Sequence, residues 1–452
     1  MTGARGGSGA RGGSGARGGS GARSETANQQ AVRQAVADAH RREWATVLAA
    51  TVRVARDLDL AQDCVQDAYA AALDAWARDG VPARPGAWLT TAARHNALDI
   101  LRRASTLRSK LHLLVEPTPT DADPPADPAA DRALPDDRLR LVFLCCHPAL
   151  ATEAQVALTL RLVCGVTTPD IAAAFLVSEA TMAARITRAK KKITSAGIPF
   201  RIPAPDALPE RLDAALTTIH LLFTTGHTAP TGPALTRNDF ADRALDLARL
   251  LRDLMPAERE VQGLLALLLA NHARRATRTN PEGRLLLLEE QDRSAWDSDA
   301  IAEAHDLVHG ALRGGSPGRF ALQAAIAALH ATAPTYSDTD WAQILVLYDE
   351  LSHIWPSPVV ALNRAVAVAM VRGPEAALAE IEALQHEPRL AAYHYLPAVK
   401  ADLLRRLGRN ADAAAAYERA ITLADNDAER AFLASRLAET DPGQTGRAIR
   451  PD

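Results

Sequence analysis

Apolar residues recur at three- and four-residue spacing along most of the chain, and no stretch shows clean period-two alternation. The pattern predicts helices throughout and an all-α fold. A first helical block spans residues 24–114 and a second, small one spans 138–200. In the second block Thr168 is expected to cap a short helix, with Pro169 in its first turn and Asp170 at its positive end. Leu176-Val177 then make a turn, and Ser178 can cap another helix from Glu179 to about Thr194. Two helices joined this closely, with the small Ala172 where they cross, form a helix-turn-helix. From Arg211 to about Glu439 the chain reads as Ala/Leu-rich amphipathic helices with short Gly/Pro breaks, a large helical part over 205–440.

The segments between these blocks have a different composition. Residues 1–23 are dominated by a Gly-Ala-Arg-Gly-Gly-Ser repeat with nothing to bury and are expected to be disordered, as is the tail 441–452. Residues 115–137 read as a linker: from Glu116 to Asp137 there are seven acidic residues against one Arg132. Prolines 199, 203, 205 and 209 mark a boundary before the last helical part. Near the far end, Ala401, Leu404, Gly408, Ala413, Tyr417 and Ala420 fall on the small and large positions of a tetratricopeptide unit. A looser copy runs through Val366, Gly373 and Ile381. Gly373 and Gly408 lie 35 residues apart, close to the ~34-residue period of such repeats.

Composition sharpens the picture. Hydrophobic residues make up 48% and aromatic residues 4%, a mix that favours helices over sheets. The net charge of −3 hides an asymmetry: residues 1–204 carry 26 Lys+Arg against 20 Asp+Glu, and residues 205–452 carry 25 against 34. Only the basic front part is expected to meet nucleic acid. The N-terminus has no apolar run of a signal peptide, and no apolar stretch reaches the roughly 18–20 residues that span a bilayer. A cytoplasmic protein without membrane contact is expected.

Four cysteines are too few for a disulfide framework. Cys145-Cys146-His147 lacks a second ligand pair at zinc spacing, so the cysteines are read as core residues and no metal or cofactor is expected. Glu289, Glu290 and Asp292 have no accompanying nucleophile, His partner or phosphate loop, and are read as a charged helix surface. His220 and His227 lack ligand spacing. No enzyme is expected.

Two places carry candidate chemistry. From Ser178 to Arg201 there are six basic residues against one acidic, Glu179. Thr181, Arg185, Arg188 and Lys192 share one rough helical face, suited to base edges near the helix start and phosphates beyond it. In the first block, Pro85–Arg103 reads as one helix carrying Arg94, His95, Asn96, Arg102 and Arg103, a polar and basic face suited to unstacked bases. Trp76 and Trp88 are read as core. These features fit a DNA-binding protein. They leave open a conventional helix-turn-helix regulator with a tetratricopeptide sensor.

The chain resembles the extracytoplasmic-function (ECF) RNA polymerase sigma factors. The family's region 2 pattern stands here as Ala61-Gln-Asp-Cys-Val-Gln-Asp-Ala-Tyr69, then Trp88-Leu89, Ala93-Arg94-His95-Asn96, Asp99 and Leu101-Arg102-Arg103. Its region 4 pattern stands as Asp170-Ile-Ala, Phe175-Leu-Val-Ser178, Thr181-Met182, Arg185 and Arg188-Ala-Lys190. Gln62 replaces the family's glutamate, and Leu176 its turn glycine. The resemblance covers roughly residues 40–200. It implies that Asp63, Gln66 and Asp67 grip the β′ subunit of core RNA polymerase, with β as a further contact. It also implies that Arg94, His95, Asn96, Arg102 and Arg103 serve the −10 element, and Ser178, Glu179, Thr181, Arg185, Arg188 and Lys192 the −35 element of promoter DNA. The acidic linker would thread through the polymerase. The C-terminal part, including Leu264–Leu269 and Trp296, is similar to the tetratricopeptide-like extension of one subgroup, implying a regulatory or supporting role and a possible protein partner.

Overall fold

The computed structural model describes residues 19–112, 137–175, 177–228, 235–236 and 238–440. Most of the N-terminal repeat, the acidic linker, Leu176 and the C-terminal tail lie outside these residues. About 75% of the described residues are helical, with no strand among them; a single isolated bridge pairs Thr279 with Leu285. None of the described helices is long and apolar enough to cross a membrane.

The chain divides into two compact units, the first made of residues up to Leu141 together with Leu162–Gly165. Its body is three mutually packed helices, α1 (Gly19–Ala55), α2 (Leu58–Asp79) and α3 (Pro85–His112). α1 starts five residues inside the repeat expected to be disordered. At its end Arg56 takes a left-handed conformation (φ 55°), and Asp57 then caps α2 by accepting from Leu60 N at 2.8 Å. α2 buries Ala61, Cys64, Val65, Ala68, Ala72 and Trp76, a stripe at three- and four-residue spacing. Trp76 is buried and meets half-buried Trp88 edge-to-face, with ring centroids 5.8 Å apart, as expected of core tryptophans.

The second unit comprises Val142–Arg161 and the chain from Val166 onward. Helix α4 (Asp137–Cys145) leads to α5 (Thr152–Leu158), a π turn over Thr159–Val163, α6 (Thr168–Ala174) and α7 (Glu179–Ser195). α8 (Leu208–His227) follows the proline-rich stretch and packs on α5. The side chains of Arg211, Gln155 and Thr218 frame this junction. Arg211 of α8 donates to Phe143 O. Gln155, buried in α5, donates to His147 O and Leu150 O at 3.0 Å each. Thr218 Oγ1 of α8 lies 3.4 Å from Gln155 Oε1.

The remainder is a stack of helices: α9 (Asn238–Leu254), α10 (Arg259–His272), α11 (Ser298–Leu312), α12 (Arg319–Thr332), α13 (Trp341–Ile354), α14 (Pro358–Val371), α15 (Pro374–Leu384), α16 (Tyr395–Arg406), α17 (Asn410–Leu423) and α18 (Asp427–Ala438). α10 is buried along its length, including Leu264–Leu269. Its Glu260 carboxylate accepts from Phe320 N (2.9 Å) and Ala321 N (3.1 Å), satisfying the open amides of α12. Arg364 of α14 ties α13 and α15 together through Asp349 (2.6 Å) and Glu380 (2.6 Å). The two repeat copies are helical hairpins. α14 and α15 turn at Gly373 (φ 90°), α16 and α17 at Gly408 (φ 74°), where other residues would be strained. Ala401, Leu404, Ala413, Tyr417 and Ala420 are all buried where the second pair closes.

Two expectations fail in this region. Residues 273–297, expected to be helical, form an irregular segment with only two short 3₁₀ turns. Glu289 and Glu290 therefore sit in a turn rather than on a helix, and Asp292 caps a 3₁₀ turn at Ser294 N (2.9 Å). Trp296 is buried with Nε1 donating to Thr277 Oγ1 at 2.8 Å, and Arg293 stacks over its ring. His220 and His227 pack half-buried against the core: burial lowers their pKa values to about 4 and about 2, His220 beside Phe320 and His227 stacked on Phe223.

Gly263 marks a close approach of α10 to α12. A Cβ there would lie 2.6 Å from Ala321 N and 2.9 Å from Phe320 C, both backbone. Gly263→Ala should therefore destabilise the protein by about 1–3 kcal/mol, read as a lower midpoint in urea unfolding. An unchanged midpoint would show that α10 and α12 are not so tightly seated.

Candidate nucleic-acid and polymerase interface

Burial sorts the candidate residues of the first unit. With the apolar stripe of α2 inside, Asp63, Gln66 and Asp67 stand together on its exposed side. Gln62 points the other way and is buried, so the glutamine lies off the exposed acidic row. A buried neutral amide also avoids the cost of a buried carboxylate. On α3, Leu89, Ala93 and Ala97 are buried. Arg94, His95, Arg102 and Arg103 are exposed. Asn96 is only half-exposed, and its Nδ2 donates to Cys64 O at 3.4 Å, bridging α3 to α2. Arg102 pairs with Asp99 at 3.2 Å, an exposed contact of little energetic weight. Leu73, Ile100 and Leu101 add exposed apolar surface that charge-based reading passed over.

In the second unit the helix-turn-helix forms with its first cap displaced by one residue. Thr167, not Thr168, is the N-cap of α6; its Oγ1 accepts from Asp170 N at 3.3 Å. Ser178 caps α7 as expected, accepting from Thr181 N at 3.2 Å. The Thr181 hydroxyl closes the same cap, 2.8 Å from Ser178 Oγ. α7 is amphipathic to its end: Met182, Ile186, Ala189 and Ile193 are buried. Glu179, Thr181, Arg188 and Lys192 are exposed and Arg185 is half-buried. Arg188 Nε donates back to Ala184 O at 3.2 Å. Neither Arg185 nor Arg188 pairs with a carboxylate among the described residues.

The Cys145-Cys146-His147 run belongs to the packing. Both thiols are buried, with Cys146 Sγ 3.5 Å from Thr159 Oγ1, and burial pushes the Cys146 thiol pKa up. His147 Nδ1 accepts from Ala149 N at 3.1 Å. No group of three or more His, Cys, Asp or Glu side chains among the described residues could hold a metal ion.

A model of Sigma-70 region 2 matches residues 40–106, and one of Sigma-70 region 4 matches residues 140–193. Residues 211–312 match a family of unknown function, DUF6596. An uncharacterized protein of Rhizobium meliloti (strain 1021) is 45% identical over 394 residues, covering 86% of this chain and 92% of its own. The chain belongs to the sigma-70 family. It is an ECF-like sigma factor with a C-terminal extension. No solved structure matches it.

The sigma factor's two regions give it a role in transcription initiation, in partnership with core RNA polymerase and promoter DNA. The matched spans place Asp63–Asp67 and Arg94–Arg103 within region 2, and Ser178–Lys192 within region 4. The part of the sigma factor that sequence reasoning missed is the base of region 4. Gln155, Arg211 and Thr218 lie far apart in the sequence, and only the buried Gln155 in an apolar run hints at their meeting.

Removing the Ser178 hydroxyl leaves the Thr181 amide without its capping partner and loosens the first turn of α7. Ser178→Ala should cost about 0.5–2 kcal/mol, seen as faster amide exchange at Thr181 and Met182, while Ser178→Asp should preserve protection. Equal exchange in all three proteins would contradict the assigned cap.

Proposed function

We propose that this sigma factor reads the −35 element with Ser178, Glu179, Thr181, Arg185, Arg188 and Lys192 of α7. In the same reading, Arg94, His95, Arg102 and Arg103 of α3 hold the melted −10 strand, and Asn96 chiefly sets the α2–α3 spacing behind them. Asp63, Gln66 and Asp67 grip the polymerase β′ subunit, with β as a further contact. The acidic stretch Glu116–Asp137 threads through the polymerase, its charge suited to a basic channel. The extension over 205–440 supports and regulates region 4 and offers a surface to a protein partner. The cytoplasm, where polymerase works, is the location this implies.

The observation that carries the reading is the two-sided build of α7. Its buried stripe fixes the helix on α5, and its basic side carries two arginines with no carboxylate partner among the described residues. An unpaired guanidinium at a helix surface is available to phosphate or to a guanine edge. Support for the role of the extension comes from α8, whose Arg211 and Thr218 complete the base on which α5 stands.

Run-off transcription from a cognate promoter with core polymerase tests this directly. The full chain should stimulate specific starts, and Arg185→Ala with Arg188→Ala should weaken promoter binding and flatten its salt dependence by about one unit of slope per arginine. Truncation after Pro203 should change transcription, because it strips α8 from α5. No stimulation over core polymerase alone would contradict the reading, as would wild-type binding by the double variant.

A further inference from the structure

The extension holds a cavity of about 760 Å³ that promoter recognition does not use. Helices α13, α14, α16 and α18 form its sides, and the irregular segment Leu285–Glu289 walls it on another. That segment is tied down. Leu286 N donates to Arg278 O at 2.9 Å, Gln291 Nε2 to Leu286 O at 3.1 Å, and Arg293 to His330 O and Ala333 O at 2.7 and 2.8 Å. A bare stack of helical hairpins presents an open groove. Here a segment of the same chain fills part of it, and the remaining space has the size of a small-molecule pocket.

The lining states the chemistry. Tyr336, Trp341, Tyr348, Tyr395 and Phe432 give it flat aromatic faces, and Val366 and Met370 fill between them. His330 adds no charge at neutral pH, because burial beside Arg274 and Arg293 lowers its pKa to about 4. Most charged groups in the lining are already paired. Asp402 accepts from Arg405 (2.7 Å) and Arg436 (3.3 Å). Glu429 accepts from the Tyr395 hydroxyl and lies 3.3 Å from His394 Nε2. Arg406 differs: its guanidinium meets Ala369 O (3.4 Å) and Met370 Sδ (3.9 Å) and has no carboxylate partner among the described residues. Glu289 is the other lining charge without an ion-pair partner among the described residues; it and Arg406 are both exposed, and of the two only Arg406 can receive an anion.

We propose that this cavity binds a planar aromatic molecule carrying one anionic group, with the rings between the aromatic walls and the anion on Arg406. The extension is thereby a ligand-binding module. The site is independent of promoter recognition, and its failure would leave the transcription reading untouched.

Two fluorescent probes test it on the full chain: anilinonaphthalene sulfonate, and phenylnaphthylamine, which has the same rings without the sulfonate. Both should titrate to a single site at neutral pH, the sulfonate about tenfold tighter because a charge-assisted hydrogen bond distinguishes it. Arg406→Gln should abolish that advantage and leave phenylnaphthylamine binding unchanged. Val366→Trp should weaken both probes by at least about tenfold by filling the pocket. If that variant melts below the parent, Asn363→Trp, at an exposed lining position, takes its place. Absence of saturable binding overturns the proposal. So does parental binding of both probes by a normally folded tryptophan variant, or a sulfonate advantage that survives Arg406→Gln.

Discussion

The seating of α7 in region 4 rests on one buried amide beneath it. Gln155 sits inside α5, and its Nε2 closes the turn between α4 and α5 by reaching His147 O and Leu150 O. Its Oε1 lies beside Thr218 of α8. An amide removed from water without partners costs several kcal/mol, so these partners hold α5 in place. α7 in turn packs on α5. The helix that carries Arg185 and Arg188 thus stands on a base to which the extension contributes. That is a physical reason for the extension to belong to this sigma factor, quite apart from any signal it receives.

The same logic of one buried face and one free face produces the surfaces of region 2. On α2 the stripe from Ala61 to Trp76 must go inside, and that alone puts Asp63, Gln66 and Asp67 on the outside. On α3 the inward alanines allow close packing and leave the arginines outward. Neither surface needs a dedicated structural device. Each is what remains when an amphipathic helix buries its apolar side, and its chemistry lies in which polar residues were left there.

Local signals carried most of the fold. Caps, apolar periodicity and glycine turns act within a few residues, so the helix starting after Ser178 and the hairpins at Gly373 and Gly408 were legible in the sequence. The displaced cap at Thr167 reflects two adjacent threonines, either of which satisfies the local chemistry. Residues 273–297 depart from the helical expectation because Leu285–Leu288 supplies an apolar run without a helix. Their conformation is set by distant partners, such as the carbonyls of His330 and Ala333 that receive Arg293. The bridge from Asn96 to Cys64 O is hidden for the same reason: it spans 32 residues. The roles of the site residues came from motif resemblance, since a basic helix face alone specifies nucleic acid and not a promoter.

The measurement that bears most directly on this account is native-state amide hydrogen exchange across residues 142–227 of the full chain. If region 4 and the extension share one base, α5, α7 and the first half of α8 should open with a common free energy, and Arg211→Ala should raise exchange in α5 and α7 together. Exchange of α5 and α7 that is independent of α8, and unmoved by Arg211→Ala, would contradict it.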